Sequence, residues 1–205
     1  MKAVCNKVRE RKRAQATATV STYDQSEIVR LVEKAAGGNF EAFGKLYSIY
    51  LDRIYRYAFY QVKDKMTAED ITEEVFVKAW KAIDSCKGKG HTFSAWIYRI
   101  AHNHIINTFR NMRKCVSMEM ENLTELSDPK LEVEMTLDRQ ELQAVLADLP
   151  QNQRQVVILK FIEGLDNREI GQIMKKSEGA IRILQMRALT TLRQKLGGGK
   201  YRNES

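Results

Sequence analysis

The stretch Asp166–Leu196, DNREIGQIMKKSEGAIRILQMRALTTLRQKL, decides how the chain is to be read. Its apolar residues fall at helical spacing in two short runs. Ile170, Ile173 and Met174 form one edge, and Ile181, Leu184, Ala188, Leu189 and Leu192 form the next. Between them Ser177 is a good N-cap, and Glu178 suits the positive end of the helix that follows. A short helix, a tight turn and a longer basic helix is the layout of a DNA-reading helix-turn-helix. A plain αα-hairpin has the same outline, so the surrounding sequence must decide between them.

The whole chain favours the first reading. At 205 residues it has room for one domain or two small ones, and its 34 Lys and Arg against 26 Asp and Glu give a net charge of +8. Such an excess favours a polyanionic partner. Only two prolines, Pro129 and Pro150, interrupt a helix-rich sequence, which predicts an all-α protein. No run approaches ~18 uninterrupted apolar residues, so no membrane insertion is expected. The basic N-terminus lacks the apolar core of a secretory signal. Cys5, Cys86 and Cys115 are far apart and odd in number, which suggests neither a disulfide framework nor a zinc site. A reducing cytoplasm is the natural setting, with no metal and no cofactor expected.

Composition divides the chain into two helical domains with a linker between them. Residues 1–25 read as a basic, disordered tail. Residues 26–114 form the first domain. Ile28, Leu31 and Val32 make a short helix closed by Gly37-Gly38, and Asn39 caps a long one carrying Phe40, Phe43, Leu46, Tyr47, Tyr50, Leu51, Ile54, Tyr57 and Ala58 on one stripe. Thr67-Ala68-Glu69-Asp70 opens the next helix as a capping box. Ala68, Ile71, Val75, Ala79 and Ile83 face its core, while Asp70, Glu73, Glu74, Val77, Lys78 and Lys81 face away. Phe76 and Trp80 lie off the stripe, either closing the core edge or marking a partner face.

A loop with Lys87, Lys89 and His91 follows, without P-loop spacing. Ser94 then caps a helix running to about Lys114. Ile97, Ile100, Ala101, Ile105 and Thr108 form its buried side. Arg99, His102, Asn103, Ile106 and Arg110 lie along another face, with Arg113 and Lys114 at the C-terminal end. Phe93, Trp96, Tyr98 and Phe109 nearby could stack on single-stranded DNA, or could fill the core, the simpler expectation for Trp96. Residues 115–136 carry six carboxylates against one lysine and read as an extended, flexible acidic linker. The second domain, 137–197, begins with a helix that Pro150 stops. A second helix from Gln151 to Ile162 has Val156, Val157, Leu159 and Phe161 available for packing. Residues 198–205 read as a disordered tail.

These segments together resemble a bacterial RNA polymerase sigma factor of the extracytoplasmic-function group, over residues 26–197. TAEDITEEVFVKAWKAI is similar to that family's polymerase-binding helix. FSAWIYRIAHNHIINTFR is similar to the helix that reads and opens the −10 promoter element. LADLPQNQRQVVILKFIEGLDNREIGQIM, with the basic helix after it, is similar to the domain that reads the −35 element. The resemblance implies a promoter-specificity subunit, not an enzyme, that binds core RNA polymerase through its β′ and β subunits. It implies contact with promoter DNA, both duplex and single-stranded, capture by an anti-sigma protein, and a monomeric free state.

By the same resemblance, Asp70, Glu73, Glu74 and Phe76 would dock on polymerase. Lys87, Lys89, His91, Arg99, His102, Asn103, Arg110 and Arg113 would hold the melted −10 strand. Arg182, Ile183, Met186 and Arg187 would contact the −35 duplex, with Arg182 suited to a guanine edge or adjacent phosphate and Arg187 mainly to phosphate. The chain departs from the family pattern at Lys175-Lys176, where a small residue and an apolar one are usual, and at Ile183-Leu184-Gln185. Either the helix is rotated, with Leu184 in the core and Gln185 exposed, or Ile183 meets a thymine methyl. A stand-alone helix-turn-helix regulator is the alternative, but it leaves Thr67–Phe109 without a role. A metal-dependent nucleic-acid enzyme using His91, His102 and His104 is less consistent still, because His102 and His104 sit two apart on a helix and point to different faces.

Overall fold

The structure, a computed structural model, describes residues 24–86, 92–118 and 137–197, with side chains over 24–86, 92–111 and 142–195. Lys87, Lys89, His91, both tails and most of the linker lie outside the described residues, as does the Arg113 side chain. Among the described residues all regular structure is helical.

The first domain holds α1 (Gln25–Ala36), α2 (Phe40–Val62), α3 (Lys65–Ala82) with a 3-10 turn after it (Ile83–Cys86), and α4 (Phe93–Met118). Asn39 caps α2 as its sequence predicts, its side chain accepting from the Ala42 N–H at 2.8 Å. The next two caps fall earlier than expected. Asp64, not Thr67, caps α3, accepting from the Thr67 N–H at 2.7 Å. Lys63 just before it sits at φ 63°, a left-handed turn that stops α2 and starts α3 without a loop. Thr92, not Ser94, caps α4, its hydroxyl accepting from the Ala95 N–H at 3.1 Å. Ser94 instead meets the Tyr50 hydroxyl at 2.8 Å, pinning α4 to α2.

The second domain holds α5 (Leu137–Ala147), α6 (Gln151–Val157), a π-helical turn (Ile158–Ile162), α7 (Asn167–Met174) and α8 (Glu178–Gly197). The helix expected over 151–162 is therefore α6 plus a π-turn, and Phe161 stands 57% exposed instead of packing. Arg154 staples the α5–α6 corner, donating to the carbonyls of Leu146, Ala147 and Leu149 at 2.8–3.2 Å. Those are carbonyls that a helix end would otherwise leave unmatched. Asp166 and Glu169 form a full capping box at the start of α7. Ser177 caps α8.

The two domains are not held apart. Buried residues of both, from Ile54, Tyr57, Ile71 and Tyr98 to Leu159, Ile170 and Ile173, form one continuous apolar cluster. Across the junction α7 lies on α4, and α6 with the π-turn lies on α2. Area removed from water stabilises by about 25 cal/mol per Å², so a shared core favours closure without any help from the linker.

Candidate polymerase and nucleic-acid interfaces

The outer face of α3 presents Asp70, Glu73 and Glu74, all exposed. Glu74 is drawn toward α4: it accepts from Lys78 Nζ at 2.9 Å and lies 3.6 Å from His104 Nε2. The Lys78 hydrogen bond, then the charge of His104, holds its carboxyl below the usual carboxylate range. Asp70 and Glu73 form no ion pair among the described residues and remain open to a basic partner.

Phe76 is not part of this exposed face. It is 4% exposed and packs on Tyr47 with ring centroids 4.6 Å apart. The apolar side chains that reach the surface nearby are Tyr47, Val77 and Phe40, with Phe40 72% exposed and edge-on to Trp80 at 5.6 Å. Phe40 follows Asn39 as the first residue of α2, so it continues the apolar stripe past the point where α3 covers it. The stripe's period alone could not reveal that; the adjacent cap could.

On α4 the aromatic residues divide sharply from the polar ones. Phe93, Trp96 and Tyr98 are buried, so none offers a stacking surface. The Trp96 indole N–H donates to Ser85 Oγ at 3.2 Å, and Tyr98 lies edge-on to Tyr57 at 5.4 Å. Asn103 and Arg110 are exposed, and Arg99 is half-buried. His102 is largely covered, its Nδ1 buried without a protein partner. Burial, with Lys175 and Lys176 of the second domain nearby, pulls its imidazole down to about 4, so it is neutral near pH 7.

The helix-turn-helix has the geometry its sequence predicts. Lys175 closes α7 at φ 53°, in the left-handed region, and the Lys176 N–H returns to the Gly171 carbonyl at 3.0 Å. A Cβ on Gly171 would fall 2.7 Å from the Lys176 carbonyl oxygen, so only glycine fits this approach of turn to helix. On α8, Ile181 and Ala188 are buried, while Arg182, Ile183, Met186 and Arg187 point outward. Arg182 lies 3.7 Å from Glu178 in an exposed i, i+4 pair that leaves it accessible. Leu184 packs against the core, as the rotated-helix reading expects. Gln185 departs from that reading: it is half-buried and donates to Asn167 Oδ1 at 2.8 Å, tying α8 to α7.

A buried polar node joins the domains, which the sequence reading missed. Glu163, at the end of the π-turn, enters the first domain with its side chain fully buried. It accepts from Arg53 Nε at 3.3 Å, from Arg56 Nε and Nη2 at 2.8 and 3.0 Å, and from the Tyr98 hydroxyl at 2.6 Å. Arg53 also donates to the Glu163 carbonyl at 2.7 Å and lies over the Tyr50 and Tyr98 rings. Burial, then the Glu163 charge, raises the Tyr98 hydroxyl well above its ordinary value and keeps it a donor. Arg53 and Arg56 lie on the long-stripe helix at i, i+3, a spacing that puts two guanidinium groups on one face. That pair is the one sequence signal of the node.

An all-helical chain with an acidic exposed helix face, a basic helix beside it and a helix-turn-helix domain has the makings of a two-part DNA-binding transcription factor. The models of Sigma-70 region 2 and Sigma-70 region 4 match residues 46–115 and 139–192, in that order. The ECF RNA polymerase sigma factor BldN of Streptomyces coelicolor is 37% identical over 173 residues, which cover 82% of this chain and 66% of BldN. SigW of Bacillus subtilis is 29% identical over 184 residues, 82% of this chain and 96% of SigW. In fold the chain matches the sigma factor RpoE, solved in complex with the anti-sigma factor NepR from Bartonella quintana, with a TM-score of 0.64 at 23% identity over 76% of this chain and 96% of RpoE. The chain belongs to the sigma-70 family of RNA polymerase promoter-specificity factors, in its extracytoplasmic-function group.

Proposed function

We propose that this sigma factor works by splitting its tasks between the two domains. The exposed carboxylates Asp70, Glu73 and Glu74 on α3 dock on a basic surface of core polymerase, with Val77 and Tyr47 supplying apolar contact in place of the buried Phe76. Charge complementarity of this kind sets encounter and register. Arg182 and Arg187 at the outer face of α8, with Ile183 and Met186, hold the −35 duplex. Asn103, Arg110 and Arg99 on α4 hold the backbone of the melted −10 strand, where trapping an unstacked base offsets the few kcal/mol that opening a base step costs.

No step here breaks or makes a covalent bond in the protein's hands, so the chain is not itself an enzyme and needs no cofactor. It acts in the cytoplasm with polymerase, as a monomer when free, under the control of an anti-sigma protein. The observation that carries this reading is the order of two family regions on one chain, each presenting charge of the sign its partner needs. Run-off transcription with purified core polymerase over a library of promoter variants tests it. Initiation dependent on the chain, with a fixed upstream preference, is the expected result. Tight binding to duplex DNA without any binding to core polymerase would instead favour a stand-alone regulator.

A further inference from the structure

We propose that the outer face of α8 reads its duplex by methyl groups: Ile183 and Met186 pack on the C5-methyls of pyrimidines, thymine or 5-methylcytosine, in two neighbouring base pairs of the major groove. The inference rests on taking α8 as the −35 contact helix and names what that helix reads. Ile183 and Met186 stand 49% and 63% exposed. Each residue advances a helix by about 100°. The two therefore lie about 60° apart, on the side opposite the buried Ile181 and Ala188. Arg182 and Arg187, both exposed, flank them from either side. A helix in the major groove turns the centre of its exposed face to base edges and its flanks to the sugar-phosphate strands. Side chains three apart on a helix have Cβ atoms about 5–6 Å apart, which spans one to two base steps of about 3.4 Å. Arg182, nearer the helix start, is long enough to reach a guanine edge beside them.

The polar side chains near this centre line are engaged with the protein itself. Gln185, half-buried, donates to Asn167 Oδ1 at 2.8 Å. Thr190 turns its hydroxyl back to the Met186 carbonyl at 2.9 Å. Glu178 lies 3.7 Å from Arg182. Gly179 precedes Ile183 by one turn on the same line, and a Cβ there would meet no heavy atom within 4 Å. Packing within the protein therefore does not ask for glycine at this place, although glycine weakens a helix relative to alanine. A bare backbone at the start of α8 lets a base pair come close.

Charge around the patch selects nucleic acid over a protein partner. Lys175, Lys176, Arg182 and Arg187 are exposed on and beside α8, against the carboxylate of Glu178. Phosphates on either side of a groove complement that arrangement, and the apolar pair between the arginines then meets the floor of the groove. Apolar side chains cannot hydrogen-bond, so they tell one pyrimidine from another by the C5-methyl and not by O4 or N4. The face is therefore blind to the exchange of thymine for 5-methylcytosine and sensitive to the loss of the methyl. Methylation of a cytosine at these positions strengthens binding.

The test uses the full-length chain on core polymerase. An upstream element is selected from a randomised promoter pool, and each of its thymines, on either strand, is then replaced by deoxyuridine, which lacks only the methyl. Two neighbouring base pairs should each lose about fourfold in affinity, the worth of one buried methyl-sized group. At those positions 5-methylcytosine should bind about fourfold tighter than cytosine. Ile183→Ala should abolish the deoxyuridine penalty at one of the two positions and Met186→Ala at the other. The deoxyuridine arm uses the wild-type chain and does not depend on the variants. Equal affinity for thymine and deoxyuridine at every position would overturn the proposal while leaving the −35 reading of α8 in place, as would a selected element without neighbouring thymines. A chain that selects no upstream element would overturn that reading and the proposal with it. Loss of core binding in the two variants with the thymine preference intact would assign the patch to polymerase and overturn the proposal.

Discussion

Helices α4 and α8 are both basic and both proposed to hold nucleic acid, but the fold treats them in opposite ways. On α8 the buried residues Ile181 and Ala188 take one side, and Arg182, Ile183, Met186 and Arg187 keep the other clear. On α4 the polar face is shared with a second domain: Tyr98 is committed to Glu163, and His102 is covered. The difference suits the roles proposed for the two helices. A duplex groove accepts a preformed convex helix, so an always-open reader has nothing to lose. A melted strand exists only after the promoter is engaged, so a surface that holds it can stay covered until then.

Damage to one helix only separates the two. Gly171→Ala would place a Cβ 2.7 Å from the Lys176 carbonyl, a backbone atom that cannot swing away. It should destabilise the helix-turn-helix by about 3 kcal/mol. Chemical denaturation should register this loss, and binding to −35 duplex should fall with it. If the duplex still binds normally, the turn is not what positions α8.

Acidification should act on the α4 side. His102 is neutral in the folded protein near pH 7, its imidazole drawn down to about 4 from 6.5. The folded state therefore keeps this contribution above pH 6.5 and loses it as pH falls toward 4, where the unfolded chain binds the extra proton. The loss is on the order of 2–3 kcal/mol across that window. Urea midpoints measured between pH 7 and pH 4.5 should show it, and His102→Gln should remove that part of the slope. A slope unchanged in the variant would mean that other groups carry the effect.

The next test separates reading from holding. Arg182→Ala should cost about 1–3 kcal/mol of discrimination at one upstream base position. Arg110→Ala should weaken open complexes on every promoter alike. Selection of binding sites from a randomised promoter pool distinguishes the two, and matching losses on all sequences for both variants would erase the division between the helices. Lys175→Gly has the smallest effect expected. It relieves a left-handed lysine at φ 53° and should stabilise the second domain by about 0.5–1 kcal/mol, seen as a raised melting temperature.

Most of the helices could be read from the sequence, because each carries an apolar stripe and most carry a cap. Asn39 and Ser177 announced α2 and α8 directly. Where two capping residues stood near each other, the reading picked the wrong one: Asp64, whose backbone is extended, outcompeted Thr67, and Thr92 rather than Ser94 receives the Ala95 N–H. On the docking side, the acidic residues of α3 were legible as charges on an outer face. The fate of Phe76 was not, since period alone cannot tell a stripe's edge from its neighbour's cover. The domain junction was invisible for a further reason. A buried Glu163 looks like any solvated glutamate until residues 110 positions away, here Arg53, are folded against it.

One extra residue decides where that glutamate points. The π-turn Ile158–Ile162 closes on the Glu163 N–H, which returns five positions to the Ile158 carbonyl at 3.0 Å. Each residue advances a helix by about 100°, so the widened turn sets the azimuth of everything after it. Deleting one residue there would swing Glu163 about a quarter-turn away from its arginines, while α7 could still begin at its own capping box. A single-residue deletion in this turn would therefore separate the two ends of the junction, breaking the Glu163 contacts to Arg53, Arg56 and Tyr98 while leaving the capping box of α7 intact.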